Sequence, residues 1–167
     1  LPDLPMDPTD VDELAAAVAV CFPGGAVGDL DLSAAPMDEA ALRAEVKADF
    51  YASATRRPAI YRGNPFLVEV GLAYGGDLSG DDPVTVYRYA NRVPLQYQQG
   101  ACAITKAVVG TDWKSYQLQQ SRGGPPVGPM LIMVHIASVW VPFTSESKEA
   151  IAHYPEIIKE IRLGLQE

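Results

Sequence analysis

Histidine and cysteine are scarce in this sequence, two of each among 167 residues, and the scarcity excludes several kinds of chemistry. A nucleophilic triad needs a base, and the available imidazoles are His135 and His153. His135 lies between Val134 and Ile136 in an apolar run, the setting of a satisfied core histidine rather than a catalytic one. His153, next to Tyr154 and Pro155, reads as an exposed residue at a helix start. Cys21 and Cys102 stand far apart without CxxC spacing, so neither a zinc site nor a disulfide framework is indicated, and both read as reduced, buried thiols. The GxSxG, GxxxxGK(S/T), HExxH and GxGxxG patterns are missing, which removes the hydrolase, P-loop, metalloprotease and dinucleotide readings. Asp81 and Asp82 are adjacent carboxylates in a turn, where solvation accounts for them. No apolar run reaches the roughly 18 residues of a membrane helix. The expectation is a soluble, cytoplasmic chain with no self-contained active site.

What is present is an uneven charge distribution on a chain of net charge -8. Before residue 53 the only cations are Arg43 and Lys47, set among many Asp and Glu residues, and that segment would repel a polyanion. From Arg56 to Arg122 the balance reverses: Arg56, Arg57, Arg62, Arg88, Arg92, Lys106, Lys114 and Arg122 outnumber the acids. Any surface that meets nucleic acid is built from this stretch.

The periodicity predicts two helices followed by a β-β-α-β-α order. Thr9 caps a first helix with Val11, Leu14, Ala15, Val18 and Phe22 at helical spacing, and Pro23 to Gly25 end it. A second helix opens near Asp38, with Leu42, Val46 and Phe50 four apart on one face. Period two then begins at Phe66 and runs through Val68, Val70, Leu72 and Tyr74. Gly75 to Pro83 carries turn chemistry, and Val84 to Tyr89 resumes a strand, which predicts a hairpin, with a short third strand at Val93 to Tyr97. Ala101, Ile104 and Val108 mark a helix over 100–110. Met130 to Val141 is apolar on both faces, as a central strand covered on both sides must be. Pro155 suits the first position of a closing helix carrying Ile157, Ile158, Ile161 and Leu165. That helix reaches Glu167 with no capping Gly or Asn, so the native chain is expected to continue. The fold class is therefore α+β, an α/β sandwich: a helical appendage over 1–55 and a main domain over 56–167.

Two polar segments could carry binding chemistry. Trp113 to Tyr116 reads WKSY, in which two aromatic faces flank Lys114, a set able to stack on bases or sugars while the ammonium meets a phosphate. The same aromatics could equally anchor a helix end in the core. Thr144 to Ala150, TSESKEA, is a polar loop after the most buried strand, and Lys148 in it is a mobile point charge suited to a phosphate, or else an ordinary surface lysine beside Glu146 and Glu149.

The strings RRPAIYRGNPFLVEVGLAYGG at 56–76, RYANRVPLQYQQGACAITKAV at 88–108, DWKSYQL at 112–118, VHIASVWVPFTSESKEAIA at 134–152 and EIIKEIRLGLQE at 156–167 together resemble the transducer region of archaeal-type type VI DNA topoisomerase B subunits. Residues 1–55 match weakly, with DLSAAP at 31–36 where the family has a CLSPIG-like stretch. The resemblance implies a roughly four-stranded sheet backed by helices, with a left-handed βαβ crossover, as in the transducers of the gyrase, MutL and heat-shock-protein-90 ATPase group. It implies a B subunit whose ATPase domain uses ATP and Mg2+ and which works with a second B subunit, the A subunit that cleaves, and duplex DNA. The transducer itself would hold neither the ATPase nor the cleavage site. Residues 1–55 would then belong to the helix-two-turns-helix insert that precedes the transducer. Lys148 takes the place of the family's switch-loop lysine, which meets the ATP γ-phosphate, and Trp113, Lys114 and Tyr116 that of its DNA contacts. The alternative from another class is a non-enzymatic B-like interaction module of a meiotic DNA-break complex.

Overall fold

A computed structural model of the chain describes Leu42, Arg43 and residues 46–167. The first expected helix, the DLSAAP stretch and Cys21 lie outside the described residues. The elements are β1 (Phe50–Thr55), β2 (Ala59–Tyr61), β3 (Asn64–Tyr74), β4 (Thr85–Ala90), β5 (Val93–Pro94), α1 (Ala103–Gly110), β6 (Gln119–Gln120), β7 (Pro126–Val127), β8 (Met130–Ser138) and α2 (Pro155–Gln166). Two one-turn 3₁₀ helices, Gln99–Ala101 and Trp113–Tyr116, flank α1.

One mixed sheet runs β1-β3-β8-β4-β5, and β2 joins it by pairing with β3. All nine residues of β8 are buried, as its two-faced apolar sequence requires of a central strand. Alternate residues face opposite layers. Ile132, Val134 and Ile136 share a core with Val68, Val70 and the apolar faces of α1 and α2. Leu131 and Met133 turn the other way, packing with Leu42 and Ala73, and Tyr51, Tyr87 and Tyr89 partly cover them. Helix α2 lies so close to the sheet that a Cβ on Gly164 would meet Val70 Cγ2 at 2.9 Å.

Three expectations are corrected. The predicted β3–β4 hairpin does not form, because β8 inserts between the two strands, antiparallel to β3 and parallel to β4. Strand β8 buries both faces along its whole length, so placing it centrally outweighs the local pairing of sequence neighbours. The glycines at 75–76 serve a close approach: the Gly76 N–H donates to Asp49 Oδ2 at 2.8 Å, and a Cβ there would meet the Lys47 carbonyl at 2.6 Å. The sheet has six strands rather than four. Strand β2 is only three residues long and owes its existence to the turn at Arg62 (φ 47) and Gly63 (φ 79), which returns the chain into β3. Finally, the helical register Leu42, Val46, Phe50 does not run through. Leu42 is helical and buried, Val46 lies beyond the helix, and Phe50 opens β1, which pairs with β3 from Phe50↔Tyr74 to Thr55↔Glu69. The sheet thus begins six residues ahead of residue 56. At its far end Arg56 bonds Glu160 and Glu167, each at 3.2 Å, and ties this edge to α2.

Helix α1, strand β5 against β4, and α2 with Pro155 at its first turn stand where the sequence placed them. Cys102 is a free, buried thiol.

Candidate functional site

His135 is structural, as its surroundings in sequence suggested. Its Nδ1 lies 2.7 Å from Glu69 Oε2 on the neighbouring strand, and its Nε2 accepts the Arg92 N–H at 3.0 Å. Since Nε2 is an acceptor, Nδ1 carries the hydrogen, and both ring nitrogens are used. His153 is exposed just before α2. Asp81 and Asp82 are exposed in the loop between β3 and β4. Buried Arg88 sends its Nη2 to the carbonyls of Leu95 (2.7 Å) and Tyr97 (3.0 Å), pinning the approach to α1.

Lys148 stands at the tip of a loop whose base is closed. Phe143 bridges to Ile151, the Thr144 N–H donates to the Ala150 carbonyl at 2.9 Å, and the Ala152 N–H to the Pro142 carbonyl at 2.7 Å. Within the loop the Lys148 N–H donates to the Ser145 carbonyl at 3.1 Å, with Lys148 at φ 55, a left-handed conformation that a lysine rarely adopts. Glu149 accepts from Gln98 Nε2 at 2.6 Å, and among the described residues Lys148 has no ion pair, so its exposed ammonium is open to a partner.

The loop forms one wall of an open concavity of about 640 Å³, whose other walls include Arg62, Asn64, Asn91, Trp140 and Tyr154. Trp140 is 69% exposed there. Arg62 is the second cation, and sequence reasoning did not single it out as a site residue. Its guanidinium sits 5.6 Å from the Tyr61 ring centre and 5.3 Å from that of Tyr154, and these two rings stack at 4.1 Å. Burial, reinforced by the Tyr154 hydroxyl and opposed by Arg62, pushes the Tyr61 hydroxyl up to about 12, so the Tyr61 ring beside Arg62 is neutral. The YRGN string signals the turn, but only folding brings residue 62 across from residue 148.

The second segment follows the C-terminal end of α1. Trp113 is 2% exposed, and its Nε1 donates to the Val108 carbonyl at 2.7 Å. Its indole has no open face for stacking and anchors the turn instead. Tyr116 is 50% exposed, with its ring centre 6.0 Å from that of Trp113, and Lys114 is exposed beside it. The turn is capped at both ends. Asp112 Oδ1 accepts the Lys114 N–H at 3.2 Å, and Gln117, at φ 64, donates its N–H to the Lys114 carbonyl at 3.0 Å. Among the described residues Lys114 makes no ion pair.

The two segments thus lie on separate parts of the fold, each an exposed cation on a tied backbone. Among the described residues no cluster of three or more His, Cys, Asp or Glu gathers that could hold a metal ion.

The sequence pattern of the family described as topoisomerase VI B subunit, transducer, matches residues 33–167. The chain belongs to this family. Across 126 residues it is 55% identical to the B subunit of type 2 DNA topoisomerase 6 from Methanosarcina acetivorans, covering 75% of this chain and 20% of that protein. Across 138 residues it is 52% identical to the protein of the same name from Natronomonas pharaonis, covering 80% of this chain and 17% of that one. This transducer therefore spans about a fifth of the length of such relatives. A crystal structure of the DNA gyrase B-subunit from Myxococcus xanthus overlaps it at a TM-score of 0.43 and 20% identity, covering 69% of this chain and 32% of that one, too loosely to bear on the fold. Both cationic segments of the transducer fall within the matched residues.

Proposed function

We propose that this transducer couples ATP binding and hydrolysis in a B subunit to DNA cleavage and strand passage by an A subunit, as part of a type IIB, ATP-dependent DNA topoisomerase. The observation that carries the reading is the Lys148 loop: a lysine with no ion pair among the described residues, on a loop closed at its base, beside an open concavity of about 640 Å³. ATP and Mg2+ would be held by an ATPase domain ahead of the transducer in the full subunit, and this chain's contribution is the ammonium that meets the terminal phosphate. While the phosphate is there, the ammonium has an anion to pair with. Once hydrolysis removes it, the favourable contact is lost and the rigid sheet is released to rotate. The parallel β4–α1–β8 connection would carry the left-handed sense of the ATPase group's transducers, and residues ahead of β1 would lead in from the preceding insert. The test is reconstitution. The full-length B subunit containing this chain, mixed with its A subunit, is expected to relax supercoiled plasmid only with ATP, and relaxation without ATP, or none with both subunits and ATP, overturns the reading.

The WKSY turn supplies the DNA contact in this scheme, with Lys114 on a phosphate, Tyr116 against the strand and Trp113 shaping the turn from inside. Losing one phosphate contact lowers the slope of log K against log salt by about 0.9, which at 0.15 M salt corresponds to about fivefold in affinity. Lys114→Ala in the B subunit is expected to show both changes on linear duplex DNA. If affinity and salt slope are unaltered, Lys114 is no DNA contact.

A further inference from the structure

Gln120 is the last strand residue before the β6–β7 hairpin tip, and its side-chain amide is fully engaged. Its Oε1 accepts the Trp113 N–H at 3.3 Å, while its Nε2 donates to the Val109 carbonyl at 3.0 Å and the Gly124 carbonyl at 3.1 Å. One amide therefore fastens three pieces of backbone: the end of α1, the start of the WKSY turn and the hairpin tip. The tip is itself a tight turn, with the Gly124 N–H donating to the Ser121 carbonyl at 3.1 Å and Gly123 at φ +73. On it stands Arg122, exposed and without an ion pair among the described residues. Asp112 caps the Lys114 N–H, and Asp82 lies at the hairpin's opposite end, where its carbonyl accepts the Gly128 N–H at 3.2 Å.

We propose that Arg122 is a second phosphate-contacting cation of the DNA surface, and that Gln120 is the positioning residue that holds its turn in register with Lys114. This rests on the reading of the WKSY turn as a DNA contact. A phosphate backbone presents charges at fixed spacing, so two cations on independently moving loops would lose conformational entropy on binding that two cations on clamped turns have already lost in folding. Arg also suits the role, since its planar fork can take two phosphate oxygens at once.

The test uses the full B subunit and a linear duplex, with affinity measured across a series of salt concentrations. Arg122→Ala is expected to weaken binding about fivefold at 0.15 M salt and to lower the salt slope by about 0.9. Arg122 is exposed, so its loss leaves the fold intact. Gln120→Met, which keeps the length of the side chain and removes all three hydrogen bonds, is expected to reproduce much of that loss. In the Arg122→Ala background it should add clearly less than it costs alone, the remainder acting through the Lys114 turn that the same amide holds. If Lys114→Ala lowers affinity and slope while Arg122→Ala changes neither, Arg122 is not a contact and the proposal is overturned, though the WKSY reading stands. If neither variant changes binding, both fall together. Full additivity of Gln120→Met and Arg122→Ala would overturn the positioning role.

Discussion

Lys148→Ala, introduced into the full B subunit and assembled with the A subunit, is expected to lower the rate of ATP-dependent relaxation by roughly 10- to 150-fold. That range corresponds to the loss of about 1.5–3 kcal/mol, the usual worth of a hydrogen bond to a charged group, from the state in which the terminal phosphate holds the loop. The left-handed backbone at this position provides a control. At φ 55 the lysine occupies a conformation that glycine accepts freely, so Lys148→Gly removes the amine while easing the backbone. Both variants are expected to be impaired. Recovery of relaxation by Lys148→Gly would trace the defect to the loop's shape instead of its charge, and unchanged hydrolysis and strand passage in Lys148→Ala would remove this residue from the mechanism.

Trp113→Ala is expected to destabilise the transducer by about 3–5 kcal/mol, the range for truncating a large buried aromatic. The indole is 2% exposed and packs in the main core with Val108, and its Nε1 bonds the Val108 carbonyl at 2.7 Å. Its loss would open a cavity beneath α1 and leave that carbonyl with only the Thr111 N–H, at 3.2 Å. Hydrogen exchange within the B subunit should show it, as lost protection of the amides of α1 and of the paired strands β3 and β8. The milder Trp113→Phe separates structure from recognition. It deletes the N–H and keeps most of the packing, and the Val108 carbonyl retains the Thr111 N–H at 3.2 Å, so it should destabilise by only about 0.5–1.5 kcal/mol, the net worth of one hydrogen bond. DNA affinity of the folded Trp113→Phe protein should stay within about twofold, because a buried ring touches no DNA. A larger drop would mean that the indole is exposed in the bound state.

Some of the fold was legible because a single element's own pattern was enough. Strand β8 announced a central position by being apolar on both faces, α2 by Pro155 and the spacing of Ile157, Ile161 and Leu165, and His135 by its apolar neighbours. Two of the errors come from partner strands distant along the chain, and the missed β2 comes from a local turn. Phe50 lay at helical spacing from Leu42, yet it opens an edge strand because β3 offers an unpaired edge there, and β2 exists only because a two-residue turn folds it back. The β3–β4 hairpin failed for the same reason, since the true neighbour of each strand lies far along the chain.

Residue chemistry by itself pointed to an α+β sandwich with a two-sided central strand, and to two polar segments, around Lys114 and Lys148, as candidates for binding. Side-chain periodicity and charge are local properties, readable one segment at a time. Only the tertiary structure decided which strands pair, that Trp113 faces inward while Tyr116 stays out, that Arg62 shares a concavity with Lys148, and that one amide at Gln120 joins the aromatic turn to the hairpin bearing Arg122. Those are contacts between segments distant in sequence or held by a side chain's reach. Their energies come from burial and hydrogen bonding shared across the whole fold, so no single segment records them.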